Sequence, residues 1–387
     1  MPILNRVAEM HDEITGWRRH LHGIPEILYD VHQTAAFVAE RLREFGCDDV
    51  VTGIGRTGVV GIIKGNLGDG PAVGLRADMD ALPLNEITGK PWASQTPNKM
   101  HACGHDGHTA MLLGAAKYLA ETRNFAGSVA VIFQPAEEGG AGGDAMVKDG
   151  MMERFGIKAV FGMHNMPGLP VGQFAIRPGP IMAATAEFWI VVKGKGGHAA
   201  MPHGTIDPIV IGSQIVTALQ TIASRSVDPI DSVVVSVTKF HGGDAFNIIP
   251  EQVELNGTIR ILRNEVGEQA AKRMHEICEG IAAAHGAEVE VKIDFNYPVT
   301  HNHADETVFA AGVARTIAGD PNVNTEILPV MGGEDFSYML EARPGAFIFI
   351  GNGDTANLHN PAYDFNDEVI PHGVSYWVRL AESSLAA

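Results

Sequence analysis

Apolar residues recur at helical spacing from Ile3 to His22 and again from Gln33 to Phe45, with polar and charged positions between them, so each stretch predicts a helix with one buried face. Short apolar runs follow at Val59 to Ile63, Ala72 to Leu75, Val129 to Phe133 and Ala159 to Met163. They are too short for helices and read as buried strands. A further helical stretch, His108 to Leu119, lies between the second and third of these runs. Strands alternating with helices predict an α/β domain built on a mostly parallel sheet with helices on both faces.

From about Pro180 the rhythm changes. A strand at Glu187 to Val192 is followed by a helix from Ile206 to Ser224, strands at Ser232 to Phe240 and Gln252 to Ile261, a helix from Val266 to His285 and a strand from Glu288 to Phe295. This β-α-β-β-α-β order is the pattern of a two-layer α+β sandwich. The first pattern resumes with a helix at Asp305 to Ala318, a strand at Ala346 to Ile350 and a helix from Asp367 to Leu385. Residues 1–180 and 296–387 are therefore expected to form one discontinuous domain, with 181–295 inserted as a second.

Composition narrows the function. The chain has 387 residues, 45% of them apolar, enough for a substantial core and two domains. A formal net charge of -18 leaves no basic surface to track phosphates, so a nucleic-acid partner is not expected. The segment Met1 to His20 carries Glu9, Asp12 and Glu13 and lacks the basic-then-apolar order of a secretory signal. The stretch Ile209 to Ala223 is broken by Ser213, Gln214 and Gln220, short of a membrane span. Cys47, Cys103 and Cys278 are odd in number and far apart, which does not make a disulfide framework. A soluble cytoplasmic protein is the expectation.

The candidate chemistry lies at the ends of the predicted strands. Gly53, Gly55 and Gly58 match a dinucleotide fingerprint, but Val59 to Ile63 reads as a strand, which leaves no helix N-terminus for a pyrophosphate. By contrast, His101-Ala102-Cys103-Gly104-His105-Asp106-Gly107-His108 packs three imidazoles and a thiol into eight positions ahead of a helix that Asp106 could cap. Sulfur with imidazole is a zinc-type donor pair, against the plainer reading of a buried cysteine beside solvated histidines. Glu137 and Glu138 follow the strand Val129 to Phe133, Asp78 and Asp80 close another, and His164 closes a third. Singly, these residues read as solvated loop carboxylates, turn caps and a core histidine; together they suit the carboxyl ends of parallel strands, where open α/β sheets bind ligands. One carboxylate of an adjacent pair can hold metal while its neighbour faces the substrate water. His359 adds an imidazole from a later loop, and the turn Gly194 to His203 presents His198. Arg260, inside the apolar run Leu255 to Leu262, calls for a carboxylate partner.

In combination, Arg76-Ala77-Asp78-Met79-Asp80-Ala81-Leu82-Pro83, His101 to His108, Gln134-Pro135-Ala136-Glu137-Glu138-Gly139-Gly140, Gly197-His198-Ala199 and Gly332-Gly333-Glu334-Asp335-Phe336-Ser337 closely resemble the metallo-aminoacylase and hippurate hydrolase family, within the dinuclear metal exopeptidases. The resemblance runs in order along nearly the whole chain. It implies two divalent metal ions (zinc, manganese, cobalt or nickel) held by Cys103, His105, Glu138, His164 and His359, with the Cys103 thiolate bridging. It implies Glu137 as general base. It further implies that His198, supplied across a homodimer or higher oligomer formed through the inserted lid domain, donates to the oxyanion, and that Asn247 and Arg260 grip the substrate carboxylate. Related glutamate carboxypeptidases and dipeptidases carry histidine where Asp78 stands and aspartate where Cys103 stands; here His105 takes the missing imidazole's place, and Asp78 and Asp80 are read as orienting it from behind. The activity implied is hydrolysis of the amide of N-acyl amino acids or small peptides. Alternatives are aminopeptidase, carboxypeptidase or dipeptidase activity, a cysteine hydrolase using Cys103, and a metal-dependent amino-acid-binding module.

Overall fold

The computed structural model describes residues 3–387. The chain forms two compact units: Met1–Ile181, His301–Leu328 and Asp335–Ala387 make the first, and Met182–Thr300 with Pro329–Glu334 make the second. The return to the first unit falls at His301, where the sequence pattern placed it at 296, and a short later segment also joins the second unit.

An eight-stranded sheet organises the first unit. Its spatial order is Asp49–Ile54, Gly58–Lys64, Ser128–Gln134, Ala72–Asp78, Ile157–Pro167, Gly345–Gly353, Phe174–Ala175, Val323–Asn324. The four central strands, Ser128–Gln134 to Gly345–Gly353, run parallel, while Asp49–Ile54 and Gly58–Lys64 add an antiparallel margin. The mostly parallel α/β sheet expected from the sequence is thus present. Ala72–Asp78 is buried at every position, as a strand covered on both faces must be. On one face Val73, Leu75, Ala77, Val129, Val131 and Phe133 join a core shared with the helices His11–Gly23, His32–Glu44, His105–Thr122, Ala304–Ala318 and Ile370–Ser384. On the other, the helix Gly142–Lys148 packs against Ser128–Gln134 and against the helix Ser337–Ala342.

Some elements depart from the pattern. The expected helix from Ile3 to His22 is two helices, Asn5–Glu9 and His11–Gly23, interrupted at Met10, although Val7, Met10 and Ile14 all still enter the core. The strand Asp49–Ile54 was not anticipated; it is a margin strand whose largely exposed side chains carry no buried period. It forms a hairpin with Gly58–Lys64, which accounts for the glycines at 53, 55 and 58 without a nucleotide.

Within the second unit, Ala184–Lys193, Val233–His241, Gln252–Ile261 and Glu288–Phe295 form one antiparallel sheet, with Val233–His241 at one margin and Glu288–Phe295 at the other. The helices Pro208–Thr221 and Asn264–His285 share an apolar core with one face of it, giving the predicted two-layer sandwich. Asp207 caps the first helix by accepting from the N–H groups of Ile209 and Val210, with Pro208 at the first helical position. The helix expected to reach Ser224 ends at Thr221 in a wider turn, Ile222–Ser226. No helix among the described residues is long and apolar enough to cross a membrane.

A buried ionic cluster ties the helix His11–Gly23 to the helix His105–Thr122. Arg18 Nε lies 3.0 Å from Asp106 Oδ2, His22 Nδ1 lies 2.8 Å from the same oxygen, and His22 Nε2 lies 3.2 Å from Glu86 Oε2. Asp106 is therefore not the helix cap the sequence suggested; Gly104 precedes the helix in a left-handed conformation and the carboxylate is spent on Arg18 and His22. Burial opposes charge on His22, yet Asp106 and Glu86 outweigh it and raise its pKa to about 9. Burial likewise opposes charge on Asp106, but Arg18 and His22 hold its pKa well below the usual carboxylate range.

A histidine at about 9 in the folded chain, against about 6.5 unfolded, stabilises the fold fully below pH ~6.5 and loses that contribution as the pH rises through 9. Asp106 acts in the opposite direction, stabilising above ~3.9 and losing that contribution as the pH falls toward its depressed folded value. The stability gap between the parent and His22→Gln, measured by urea unfolding, should therefore narrow by about 3 kcal/mol between pH 6 and pH 9.5. A gap that stays constant over that range would contradict the ionic assignment.

Candidate metal centre

Two neighbouring parallel strands end level with each other, beside a third that runs on past them. Asp78, last residue of Ala72–Asp78, is in register with Gln134, last of Ser128–Gln134, while Arg76 is in register with Gly162 of Ile157–Pro167. The segments that continue past these ends carry Asp80, Glu137 and Glu138, and His164 stands near the end of the third strand. Turning out of a strand at once costs backbone strain at Ala136, φ 56°, and His359, in its later loop, has φ 62°; non-glycine residues adopt such left-handed values at about 1–3 kcal/mol each.

The donor atoms of Cys103, His105 and His164 lie within 4.8 Å of one another, and so do those of Cys103, Glu138 and His359. Both groups share the Cys103 sulfur, which stands 3.4 Å from His164 Nε2. Glu138 Oε1 stands 3.3 Å from His359 Nε2 and 4.0 Å from His105 Nε2, and His105, Glu137 and Glu138 form a further group within 4.8 Å. The five expected ligands and the expected base are therefore gathered at one place.

The histidine tautomers are set by backbone carbonyls, which only accept. His105 Nδ1 donates to the Asp80 carbonyl at 2.8 Å and His164 Nδ1 to the Asn165 carbonyl at 2.7 Å. Both rings thereby turn Nε2 toward the centre, and His105 Nε2 is buried with no hydrogen-bond partner. An orphaned buried imidazole nitrogen beside a thiol and carboxylates is a donor set that fits a divalent cation of the zinc, manganese, cobalt or nickel class.

Electrostatics agree. Burial, then the carboxylates of Glu138, Glu137 and Asp78, push the Cys103 thiol well above its ordinary value. Burial opposes charge on His105, but Asp78, Asp80 and Glu138 raise its pKa to about 10. Burial and the nearby His108 hold His164 well below the ordinary histidine value. A concentration of anionic donors that forces one imidazole positive and one thiol neutral would be relieved by cations, which reverse both effects.

Asp80 sits behind the donors, whereas Asp78 lies on the Nε2 side of His105 and not behind the ring, where the sequence reading places it. The Asp80 carboxylate accepts from the backbone N–H of Glu137 at 2.9 Å and of Glu138 at 3.1 Å, holding both side by side, and its Oδ1 lies 3.5 Å from His105 Nδ1. Asp78 Oδ2 accepts from Arg76 Nη1 at 2.7 Å and lies 3.7 Å from His105 Nε2, while Oδ1 lies 2.7 Å from His108 Nδ1. Burial opposes charge on Asp78, but His105, His108 and Arg76 hold it ionised well below the usual range.

Several buried residues at this strand end carried no role in the sequence reading. Arg76 also donates to Gln134 Oε1 at 2.9 Å and to Asp335 Oδ1 at 2.9 Å, and Asp335 accepts from Gly143 N at 2.8 Å. Burial, set against Arg76 and that N–H, leaves Asp335 raised to about 6. His108 and Asn165 lie between the donor segments. Arg76, Gln134 and Asp335 each occupy one of the blocks that carry the family resemblance, which was the available signal.

His198, Asn247 and Arg260 belong to the second unit. His198 is exposed on the two-residue strand Gly197–His198, opposite Ile248, and its Nδ1 accepts from Ala200 N at 3.1 Å, which leaves Nε2 as the donor facing outward. Asn247 is exposed and accepts from Ala199 N through its carbonyl at 3.0 Å. Arg260 donates to the Ile259 carbonyl and to Thr258 Oγ1; among the described residues it forms no ion pair with the carboxylate expected from the sequence. Half-burial lowers its pKa from the ordinary arginine value.

The chain is 42% identical over 381 residues to a hippurate hydrolase of Campylobacter jejuni, covering 98% of this chain and 99% of that protein. It is 41% identical over 366 residues to an N-acetyl-L-cysteine deacetylase of Bacillus subtilis, covering 94% and 86%. Among solved structures it superposes on the YXEP protein of Bacillus subtilis, described as a dinuclear metal binding peptidase from the M20 family, with a TM-score of 0.85, 35% identity, and 98% and 99% of the two chains covered. The model for Peptidase family M20/M25/M40 matches residues 74–383, and the chain belongs to that family.

Proposed function

We propose that this protein is a metal-dependent amidohydrolase that cleaves the amide of N-acyl amino acids of the hippurate or N-acetyl type, or of small peptides, releasing a carboxylic acid and a free amino acid. The observation that carries the reading is the pair of donor groups sharing the Cys103 sulfur with Glu137 beside them. The relatives named as a hippurate hydrolase and an N-acetyl-L-cysteine deacetylase support it.

Cys103, His105, Glu138, His164 and His359 would hold two divalent cations, with Cys103 common to both. Such a pair supplies Lewis acidity, acidifying a water and polarising the scissile carbonyl. Glu137, placed beside Glu138 by the Asp80 carboxylate, takes the proton of the attacking water and returns it to the leaving amine. His198 Nε2–H donates to the tetrahedral oxyanion from a partner subunit, and Asn247 with Arg260 holds the substrate carboxylate. An Arg260 guanidinium without an internal carboxylate suits that role.

The assembly we infer is a homodimer or larger homo-oligomer through residues 181–295, acting as the lid. Val233–His241 is a margin strand, and exposed Val234, Phe240 and Ile248 on the second unit favour a covered surface. Three cysteines without disulfides fit a cytoplasmic protein.

Glu137→Gln should keep the parent's metal content and lower turnover of benzoylglycine by ~10²-fold or more. Near-parental rates with full metal content would remove Glu137 from the role of base. Arg260→Ala should raise KM for acyl amino acids while leaving metal content unchanged, and an equal loss on amides lacking a carboxylate would contradict carboxylate recognition.

A further inference from the structure

Besides the turn with Glu138, three stretches of chain carry the donors assigned above: the segment with Cys103 and His105, the strand with His164, and the loop with His359. They are 61 and 195 positions apart in sequence, counting from His164 back to Cys103 and on to His359. Each also carries a fully buried polar side chain that is not a donor, and these three side chains meet. Asn165, beside His164, is 1% exposed; His108, one helical turn beyond His105, is 2% exposed; Tyr363, four residues beyond His359, is wholly buried.

Asn165 bonds to both of the others. Its amide oxygen lies 2.7 Å and its backbone nitrogen 3.1 Å from His108 Nε2, which can bond only one of the two at a time, and its Nδ2 donates to the Tyr363 hydroxyl at 2.6 Å. Its carbonyl accepts the His164 Nδ1–H and so fixes that ring. The His108 ring in turn packs against both donor imidazoles, with centroids 4.5 Å from His164 and 5.5 Å from His105, and is anchored at its far nitrogen by Asp78. The donor loop closes onto the same group. Gly104, between Cys103 and His105, has φ 91°, and a Cβ there would stand 2.4 Å from Asn165 Oδ1 and 2.7 Å from the Tyr363 hydroxyl.

Apolar side chains of similar size would fill this space without the cost of burying hydroxyl, amide and imidazole groups that must each find a partner. What hydrogen bonds add over apolar packing is direction: they fix the separation of three chain segments to within a few tenths of an ångström. We propose that Asn165, with His108 and Tyr363, is a positioning group that locks three of the four donor-bearing segments together and so sets metal affinity and coordination geometry. This rests on the assignment of the donors under Proposed function. None of the three touches substrate or metal in this account.

The test is metal binding by the full-length chain stripped with chelator, using cobalt(II) in competition with a chromophoric chelator and recording the visible cobalt spectrum. Asn165→Ala should weaken cobalt binding ~10–100-fold and alter the spectrum. Tyr363→Phe, which keeps the ring and removes one hydroxyl, should shift both in the same direction in a metal-free chain that still unfolds cooperatively. The Tyr363 arm decides: parental affinity and a parental spectrum in Tyr363→Phe overturn the proposal whatever Asn165→Ala does, including failing to fold. A parent chain that takes up no cobalt overturns instead the donor assignment on which the proposal rests.

Discussion

A thiol and several carboxylates buried beside imidazoles form an arrangement that folding disfavours unless positive charge is held among them. The strain is visible in the protein: the Cys103 thiol is driven upward by burial and by Glu138, Glu137 and Asp78, and His105 is raised to about 10 by Asp78, Asp80 and Glu138. Arg76 answers part of this charge from within the chain, bridging Asp78 and Asp335. Paired cations answer the rest, and the orphaned His105 Nε2 marks where one donor waits for them.

This concentration of donors follows from the sheet. Parallel strands place their carboxyl ends along one edge, and the strands ending at Asp78, Gln134 and Pro167 are immediate neighbours in register. Residues that leave these strands must turn at once, which accounts for the left-handed Ala136 just before Glu137. Behind them, the buried cluster of Arg18, His22 and Asp106 anchors the first turn of the helix that begins at His105. The donors are thus held by backbone carbonyls, by carboxylates and by an ionic foundation, each drawn from a different part of the chain.

Much of this was legible in the sequence because burial on both faces writes apolar runs that need no partner to be recognised. Ala72 to Leu75 and Val129 to Phe133 are strands for that reason, and the β-α-β-β-α-β order of the inserted sandwich was readable from the same rule. Features that depend on a partner were not. Asp49–Ile54 lies at a margin with exposed side chains; Pro329–Glu334 joins a unit whose other residues end at Thr300. Asp106 sits where a cap would sit, and only the approach of Arg18, 88 positions earlier, takes its carboxylate elsewhere. The donor types stood out as clusters, whereas His108, Asn165 and Arg76 acquire meaning from register and from contacts across the sheet edge.

In the proposed centre, two cations at the edge of the parallel sheet share the Cys103 sulfur. Titrating the metal-free chain with cobalt(II), while following near-ultraviolet sulfur-to-cobalt absorption and bound metal, tests it most directly. Uptake of two equivalents per chain is expected, with a sulfur band that is lost in Cys103→Ser. Saturation at one equivalent, or two equivalents bound with no sulfur band, would contradict it.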